Sequence, residues 1–199
     1  INWARLMPQI VYYFSAALAL GAPDRKVAFS VPTGNFGNVF AGYVAMRMGL
    51  PIERLIVASN SNDILTRFFE QGAMQRDVVT PSLSPSMDIQ VSSNFERLLF
   101  ELMDRDGVAV AGIMDRCADP GRYELPAAAM TAPPTHSSAY RLDDAGTLAE
   151  IAASMETDGM CLDPHSAVGV SAARRAIADG TLAADIPVVA LACAHPAKF

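Results

Sequence analysis

An α/β fold, with a parallel sheet covered by helices on both faces, is what this sequence predicts, and three observations carry the prediction. Short apolar runs of strand length, at residues 26–31, 55–58 and 188–192, are separated by stretches with helical apolar spacing. Each run gives way abruptly to glycine, proline or a cluster of polar residues. The chain of 199 residues is 51% apolar and 18% charged, which suffices for a core on both sides of a sheet.

The elements follow in order. Asn2 is placed as an N-cap, and helical spacing runs over 3–20 until Gly21 stops it. The first strand breaks at Pro32-Thr33-Gly34. A helix over 39–48 follows and ends at Gly49. The second strand leads to a short helix over 63–70, ended near Gly72. Residues 77–92 have little periodicity and contain Pro81, Pro85 and several serines. Ser93-Asn94-Phe95-Glu96 reads as a capping box that opens a helix to about residue 106. Four prolines between 117 and 135 predict a loop, so an irregular, inserted lobe is expected at about 77–140. An amphipathic helix over 142–155 comes next. Asp163-Pro164 then supplies an N-cap and first-turn proline for a helix to residue 177, and Pro187 precedes the third strand.

Bulk properties exclude several classes of function. Fifteen Lys+Arg against 21 Asp+Glu give a net charge of −6 without any long basic run, so no nucleic-acid partner is expected. No apolar run reaches the roughly 18 residues that span a bilayer, so no membrane partner is expected either. Cys117, Cys161 and Cys193 are an odd number without metal-ligand spacing, which reads as reduced thiols in a cytoplasmic protein with no metal site. Ile1 enters helical sequence directly and Phe199 follows Pro196-Ala197-Lys198 without a cap, so the chain reads as an excised piece of a longer protein.

In an open parallel sheet, ligands bind beyond the carboxyl ends of the strands. The three ends here continue as Thr33-Gly34-Asn35-Phe36-Gly37-Asn38, as Ser59-Asn60-Ser61-Asn62-Asp63 and as Cys193-Ala194-His195, so topology gathers them on one polar edge. In the first, Gly34 and Gly37 permit close backbone approach and positive φ, and loop N–H groups with the next helix's amino end suit an anion. Without the Lys-Ser/Thr of a nucleotide P-loop, a monophosphate fits better than a triphosphate. A tight strand–helix turn with asparagine caps is the equal alternative on spacing alone. Asn60, Asn62 and Asp63 either line the site or cap the following helix, with capping the better fit. His165 and His195 read as a local cap or a hydrogen-bonded core residue, and His136 as a surface residue.

Read together, these segments resemble threonine synthase, a fold-type II pyridoxal-phosphate enzyme. Val31-Pro32-Thr33-Gly34-Asn35-Phe36-Gly37-Asn38 is similar to that family's phosphate loop, and Ile1-Asn2-Trp3-Ala4-Arg5 to the tail of its Ser-Ile-Asn-x-x-Arg segment. Asn60-Ser61-Asn62-Asp63-Ile64-Leu65, Ser84-Pro85-Ser86-Met87-Asp88-Ile89, Ser92-Ser93-Asn94-Phe95-Glu96-Arg97, Asp163-Pro164-His165-Ser166-Ala167-Val168-Gly169 and Ala194-His195-Pro196-Ala197-Lys198-Phe199 resemble later family segments in the same order. The resemblance spans the whole chain and about half of a complete member.

The resemblance implies a tryptophan-synthase-β-like fold, with residues 1–199 forming part of a pyridoxal-phosphate-binding catalytic domain. It implies a cofactor phosphate held by Gly34, Asn35, Phe36, Gly37 and Asn38, with Phe36 packed beneath the loop and giving only its backbone. Cys193 stands where the family usually has a threonine that contacts the cofactor's pyridine nitrogen; its alternative role is a small buried hydrophobe. Arg5 matches a position that binds substrate phosphate, as a guanidinium suits; by spacing alone it reads as a solvated helix-face arginine. Asn2 and Gln9 are weaker substrate-binding candidates on the same helix. No catalytic residue is expected in this chain, because the family's Schiff-base lysine lies in a segment upstream of Ile1, which makes the missing N-terminal part of the enzyme a partner. The implied reaction converts O-phospho-L-homoserine and water to L-threonine and phosphate, with the isolated piece inactive. The alternatives are another fold-type II enzyme such as a threonine dehydratase, and a non-catalytic phosphate-binding module.

Overall fold

A computed structural model describes residues 2–118, 122–124 and 136–199. Helix α1 (Trp3–Ala19) opens on Asn2, whose Oδ1 accepts the Ala4 N–H at 2.9 Å, the expected N-cap. Strand β1 (Val27–Pro32) leads into α2 (Gly37–Arg47), and β2 (Ile52–Ser59) into α3 (Ile64–Gln71). A short β3 (Ala73–Gln75), α4 (Phe95–Leu102), α5 (Gly107–Ala118) and β4 (Arg122–Glu124) follow, with β3 and β4 paired antiparallel. Strand β5 (Ser137–Arg141), α6 (Asp144–Asp158), α7 (Pro164–Ala178) and β6 (Val188–Ala190) complete the order.

The main sheet runs β5-β2-β1-β6, and all of its pairs are parallel. Alternation along β1 separates two cores. Val27, Phe29 and Val31 join Leu55 and Val57 of β2 against Tyr13 of α1, Phe40 of α2 and Phe68 of α3. Ala28, Ile56 and Ala58 face the other way, against Val168, Ala172 and Ala176 of α7. Small residues on that second face let α7 come close. Ser30 Oγ donates to the Gly169 carbonyl at 2.6 Å, and a Cβ on Gly169 would lie 3.0 Å from Pro32 Cδ. The sheet is thus the middle of three layers, as expected. None of the helices among the described residues is long and apolar enough to cross a membrane.

Several local expectations are corrected. The sheet has a fourth strand, β5, whose sequence Ser-Ser-Ala-Tyr-Arg is too polar to read as one of the buried runs. Helix α4 begins one residue later than the capping box implies. Asn94 stands at its N-cap without capping through its side chain. That helix stops at Leu102, not near 106, and the chain turns through Asp104 (φ 51°) and Arg105 (φ 64°) into α5, which Asp106 caps through the N–H groups of Val108 and Ala109. Asp63 occupies the N-cap position of α3, but its carboxylate binds Arg67 at 2.9 Å and Arg141 at 3.5 Å rather than capping. The proline-rich stretch expected to form a loop lies almost wholly outside the described residues.

The end of β2 also differs from both expectations for it. The two N–H groups of Asn60 Nδ2 are shared among Ser82 Oγ at 2.8 Å, Ser84 Oγ at 2.9 Å and Asp88 Oδ1 at 2.7 Å, while Asn62 Nδ2 donates to the Thr80 carbonyl at 2.8 Å. These asparagines do not cap α3, and neither lines the cavity formed around the loop after β1. They tie residues 80–88, which hold only the single 3-10 turn Pro85–Met87, over the edge of the sheet. A part-buried network of this kind gives order to a segment that has little regular structure of its own.

Candidate functional site

The loop after β1 is shaped by a residue that sequence reasoning had given a supporting part. Positive φ falls on Phe36 (64°), not on Gly34 or Gly37. The left-handed region costs a non-glycine residue about 1–2 kcal/mol, and here the Phe36 ring offsets it by complete burial, edge-on to Phe95 at 5.2 Å and stacked near Phe69 at 6.3 Å. Phe36 N–H donates to Thr33 Oγ1 at 3.2 Å, and Gly37 N–H to Asn35 Oδ1 at 3.1 Å. Phe36 therefore packs beneath the loop, and its N–H is already engaged. The N–H groups of Gly34, Asn35, Asn38 and Val39 have no partner among the described residues, the last two in the first turn of α2.

The glycines are required by space. A Cβ on Gly34 would lie 3.0 Å from Ile89 and 3.1 Å from the Met87 backbone; one on Gly37 would lie 3.1 Å from Asn94 Nδ2. Met87, Ile89 and Asn94 therefore press against the loop from outside. Asn94 does so with two hydrogen bonds, from its N–H at 3.0 Å and Nδ2 at 3.1 Å, both to the Asn35 carbonyl. On the other side, the buried Tyr13 hydroxyl donates to the Asn38 carbonyl at 2.8 Å. Burial, then the neighbouring Cys193, push the Tyr13 phenol well above its ordinary pKa, so it remains a donor. Sequence reasoning missed Tyr13, and it took Asn94 for part of a cap within a family-like segment without giving it a place at the loop. The signal for Tyr13 was present, since Arg5, Gln9 and Tyr13 recur every four residues along one side of α1.

One cavity of about 280 Å³ collects nearly all of the anticipated residues: Asn2, Arg5 and Gln9 from α1, Gly34, Asn35, Gly37 and Asn38 from the loop, and Cys193 from beyond β6. Ser86, Met87, Asn94 and His165 complete much of the wall, and Phe36 is absent from it. Among the described residues no acidic side chain lines the cavity, and Arg5 is its one arginine or lysine. The Arg5 guanidinium makes no hydrogen bond or ion pair with any described residue, and it is exposed. Gln9 turns its Nε2 back to the Arg5 carbonyl at 2.9 Å, leaving Oε1 buried without a partner. In a chain of net charge −6, a concave surface with free N–H groups, a helix amino end and an unpaired guanidinium is built to take an anion.

Cys193 is open to solvent as a residue, while the packing around its sulfur raises the thiol pKa above the ordinary value. A 3.7 Å hydrogen bond from Asn38 Nδ2 opposes that rise, and the Asp163 charge adds to it. The sulfur is thus a protonated thiol at neutral pH that accepts from Asn38, leaving its S–H free to donate. His165 is the hydrogen-bonded core residue of the two histidines: Nδ1 lies 3.1 Å from Asp163 Oδ1, and Nε2 accepts the Ser86 N–H at 3.3 Å. It joins the start of α7 to the 85–87 turn. His195 is the local cap, with Nδ1 accepting the Ala197 N–H at 3.2 Å. His136 is exposed.

Comparison with known proteins places this geometry in a family context. A family model described as "Threonine synthase, C-terminal" matches residues 166–199. Threonine synthase of Pseudomonas aeruginosa is 52% identical over 199 residues, covering all of this chain and 42% of that protein. The crystal structure of pyridoxal-phosphate-bound threonine synthase from Brucella melitensis superposes with a TM-score of 0.94 at 55% identity, again over all of this chain and 42% of that one. Yeast threonine synthase gives 0.93 at 40% identity with the same coverage. The chain thus spans about two-fifths of the length of the relatives it matches.

The Asp163 carboxyl generates a prediction. Burial pushes its pKa up, but hydrogen bonds from Ser166 and His165, side chain and backbone, outweigh burial and hold it below the ordinary value. A depressed carboxyl stabilises the fold fully above its unfolded value of about 3.9, and the contribution is lost as pH falls through the lowered folded value. Asp163→Asn is expected to cost about 1.5–3 kcal/mol at pH 6–8, with the deficit shrinking below about pH 4. Urea unfolding of both proteins across that range checks it.

Proposed function

We propose, from a likeness to threonine synthases along the whole of this chain, that it belongs to that family and forms the phosphate-cradle part of an enzyme converting O-phospho-L-homoserine and water to L-threonine and phosphate, the last step of threonine biosynthesis. The observation that carries the reading is the cavity itself, acid-free, with unpaired loop N–H groups at one side and the unpaired Arg5 at another. That is room for two phosphates, one on the cofactor and one on the substrate. The supports for pyridoxal phosphate are the fit of the loop and the bound cofactor of the Brucella relative.

The residues divide by the polarity they offer. Gly34, Asn35 and Asn38 would direct N–H groups at the cofactor phosphate, helped by the amino end of α2, with Gly37 leaving space and Phe36 setting the turn. Cys193 would give its S–H to the ring nitrogen, a weaker donor than a hydroxyl. Asn2 keeps its Nδ2 available while its Oδ1 caps α1, so Asn2 and Arg5 would present donors to the substrate phosphate, with Gln9 beside them. Pyridoxal phosphate supplies, when bound, the electron sink for proton removal next to the amino group. Elimination of phosphate and addition of water both call for a lysine that links the cofactor and moves protons. The sequence has two lysines. Lys26 pairs with Glu53 at 2.8 Å at the opposite end of β1 from the cavity, and Lys198 lies over the Phe199 ring at 5.3 Å; neither lines the cavity. The lysine would come from the rest of the enzyme. We assign the enzyme to the cytoplasm, in keeping with the unpaired Cys161 and Cys193.

Two outcomes are expected. In the full-length enzyme, Arg5→Ala should raise KM for O-phosphohomoserine about ten- to hundred-fold, matching the loss of about 1.5–3 kcal/mol from charge-assisted hydrogen bonds, and leave the bound cofactor's absorption spectrum unchanged. An unchanged KM together with unchanged inhibition by inorganic phosphate would instead favour a dehydratase, which has no use for a second phosphate site. The 199 residues on their own should not turn over O-phosphohomoserine; phosphate release by the purified piece, supplied with cofactor, would refute that part.

A further inference from the structure

The helix that carries Arg5 has another face that the cavity does not use. Of the 17 residues of α1, only Arg5 is charged. A helix apolar nearly all round belongs in an interior. Leu6, Tyr13 and Ala17 do point into the core. Trp3, Met7, Val11 and Leu18 do not, being 51%, 56%, 58% and 57% exposed. Their spacing of four, four and seven residues places them in one stripe along the helix. Single exposed apolar residues are ordinary, whereas a contiguous stripe marks a contact surface. At its Trp3 end the stripe runs into a groove of about 730 Å³, floored by Phe40, Phe100 and Val110 and rimmed by Glu96, Arg97 and Glu101. The Arg97 guanidinium stands 5.3 Å from the Trp3 ring centre and covers that end only in part.

We propose that this stripe and groove seat the portion of the polypeptide that the relatives carry outside the matched region. Because the chain accounts for 42% of the Pseudomonas and Brucella proteins, more than half of such a molecule must pack somewhere on or beside this fold. The face also adjoins the cavity. Trp3 lies in the same turn as Asn2 and Arg5, so a body seated over Trp3 reaches the cavity rim. That last step rests on the proposed function, which requires a lysine from outside these residues to enter there. A second copy of this chain on the stripe would bury the same apolar area and bring nothing from outside these 199 residues.

Replacing methionine by photo-methionine in the full-length enzyme changes little in shape and puts a cross-linker at Met7. After irradiation of the folded enzyme, mass spectrometry is expected to find Met7 joined to residues outside the 199, with the product lost when the enzyme is unfolded in urea before irradiation. Cross-links from Met7 to these same 199 residues of another copy would overturn the proposal in favour of self-association. Absence of any cross-link from Met7 would overturn it by showing a free surface. The reading of the reaction is tested separately, at Arg5, and this measurement does not touch it.

Discussion

The burial of one aromatic ring governs the shape of the site. Phe36 sits in a backbone conformation that disfavours its side chain, and it is held there because the ring is locked among Phe69 and Phe95 while Thr33 takes its N–H. That turn directs the chain from the end of β1 into the start of α2 and leaves the N–H groups around it without acceptors. Everything that presses on the loop keeps the turn from relaxing. Asn94 grips the Asn35 carbonyl, Met87 and Ile89 fill the space a side chain on Gly34 would need, and Tyr13 fixes the Asn38 carbonyl. Such strain persists only where the surroundings over-determine it, and here they do so from three sides.

Those sides are themselves placed by the sheet. The parallel strands deliver the three polar ends to one edge, and the small residues facing α7 let that helix bring Asp163 and His165 to the same edge. His165 then holds the turn of residues 85–87, while Asn60 and Asn62 hold the segment around it from the end of β2. The cavity wall is therefore assembled from segments distant in sequence, none of which would hold its shape without the others.

Much of this was legible in the residues. Apolar runs marked β1, β2 and β6, and the polar clusters after them marked the edge where ligands gather. The four-residue spacing of α1 put Arg5 and Gln9 on one side. What escaped has physical causes. Strand β5 is half-buried and rich in serine, so it lacks the apolar run that announced the others. The break between α4 and α5 uses Asp104 and Arg105 in left-handed conformations, where glycine would have been the visible sign. The glycines of the phosphate loop were expected to supply positive φ; they supply space instead, because tertiary packing, invisible in local sequence, set the demand. The asparagines after β2 were expected to act within their own helix, and they act on a segment about twenty residues away.

The central claim is that this loop holds the phosphate of the cofactor, and comparing pyridoxal phosphate with pyridoxal in the full-length enzyme tests it most directly. Wild-type enzyme should bind the phosphorylated form far more tightly. Gly34→Val, which forces the loop away from Met87 and Ile89, should erase most of that preference by weakening the phosphorylated form at least about ten-fold, or about 1.4 kcal/mol, while leaving pyridoxal binding unchanged. If the preference survives Gly34→Val intact, the phosphate is held elsewhere and the account fails.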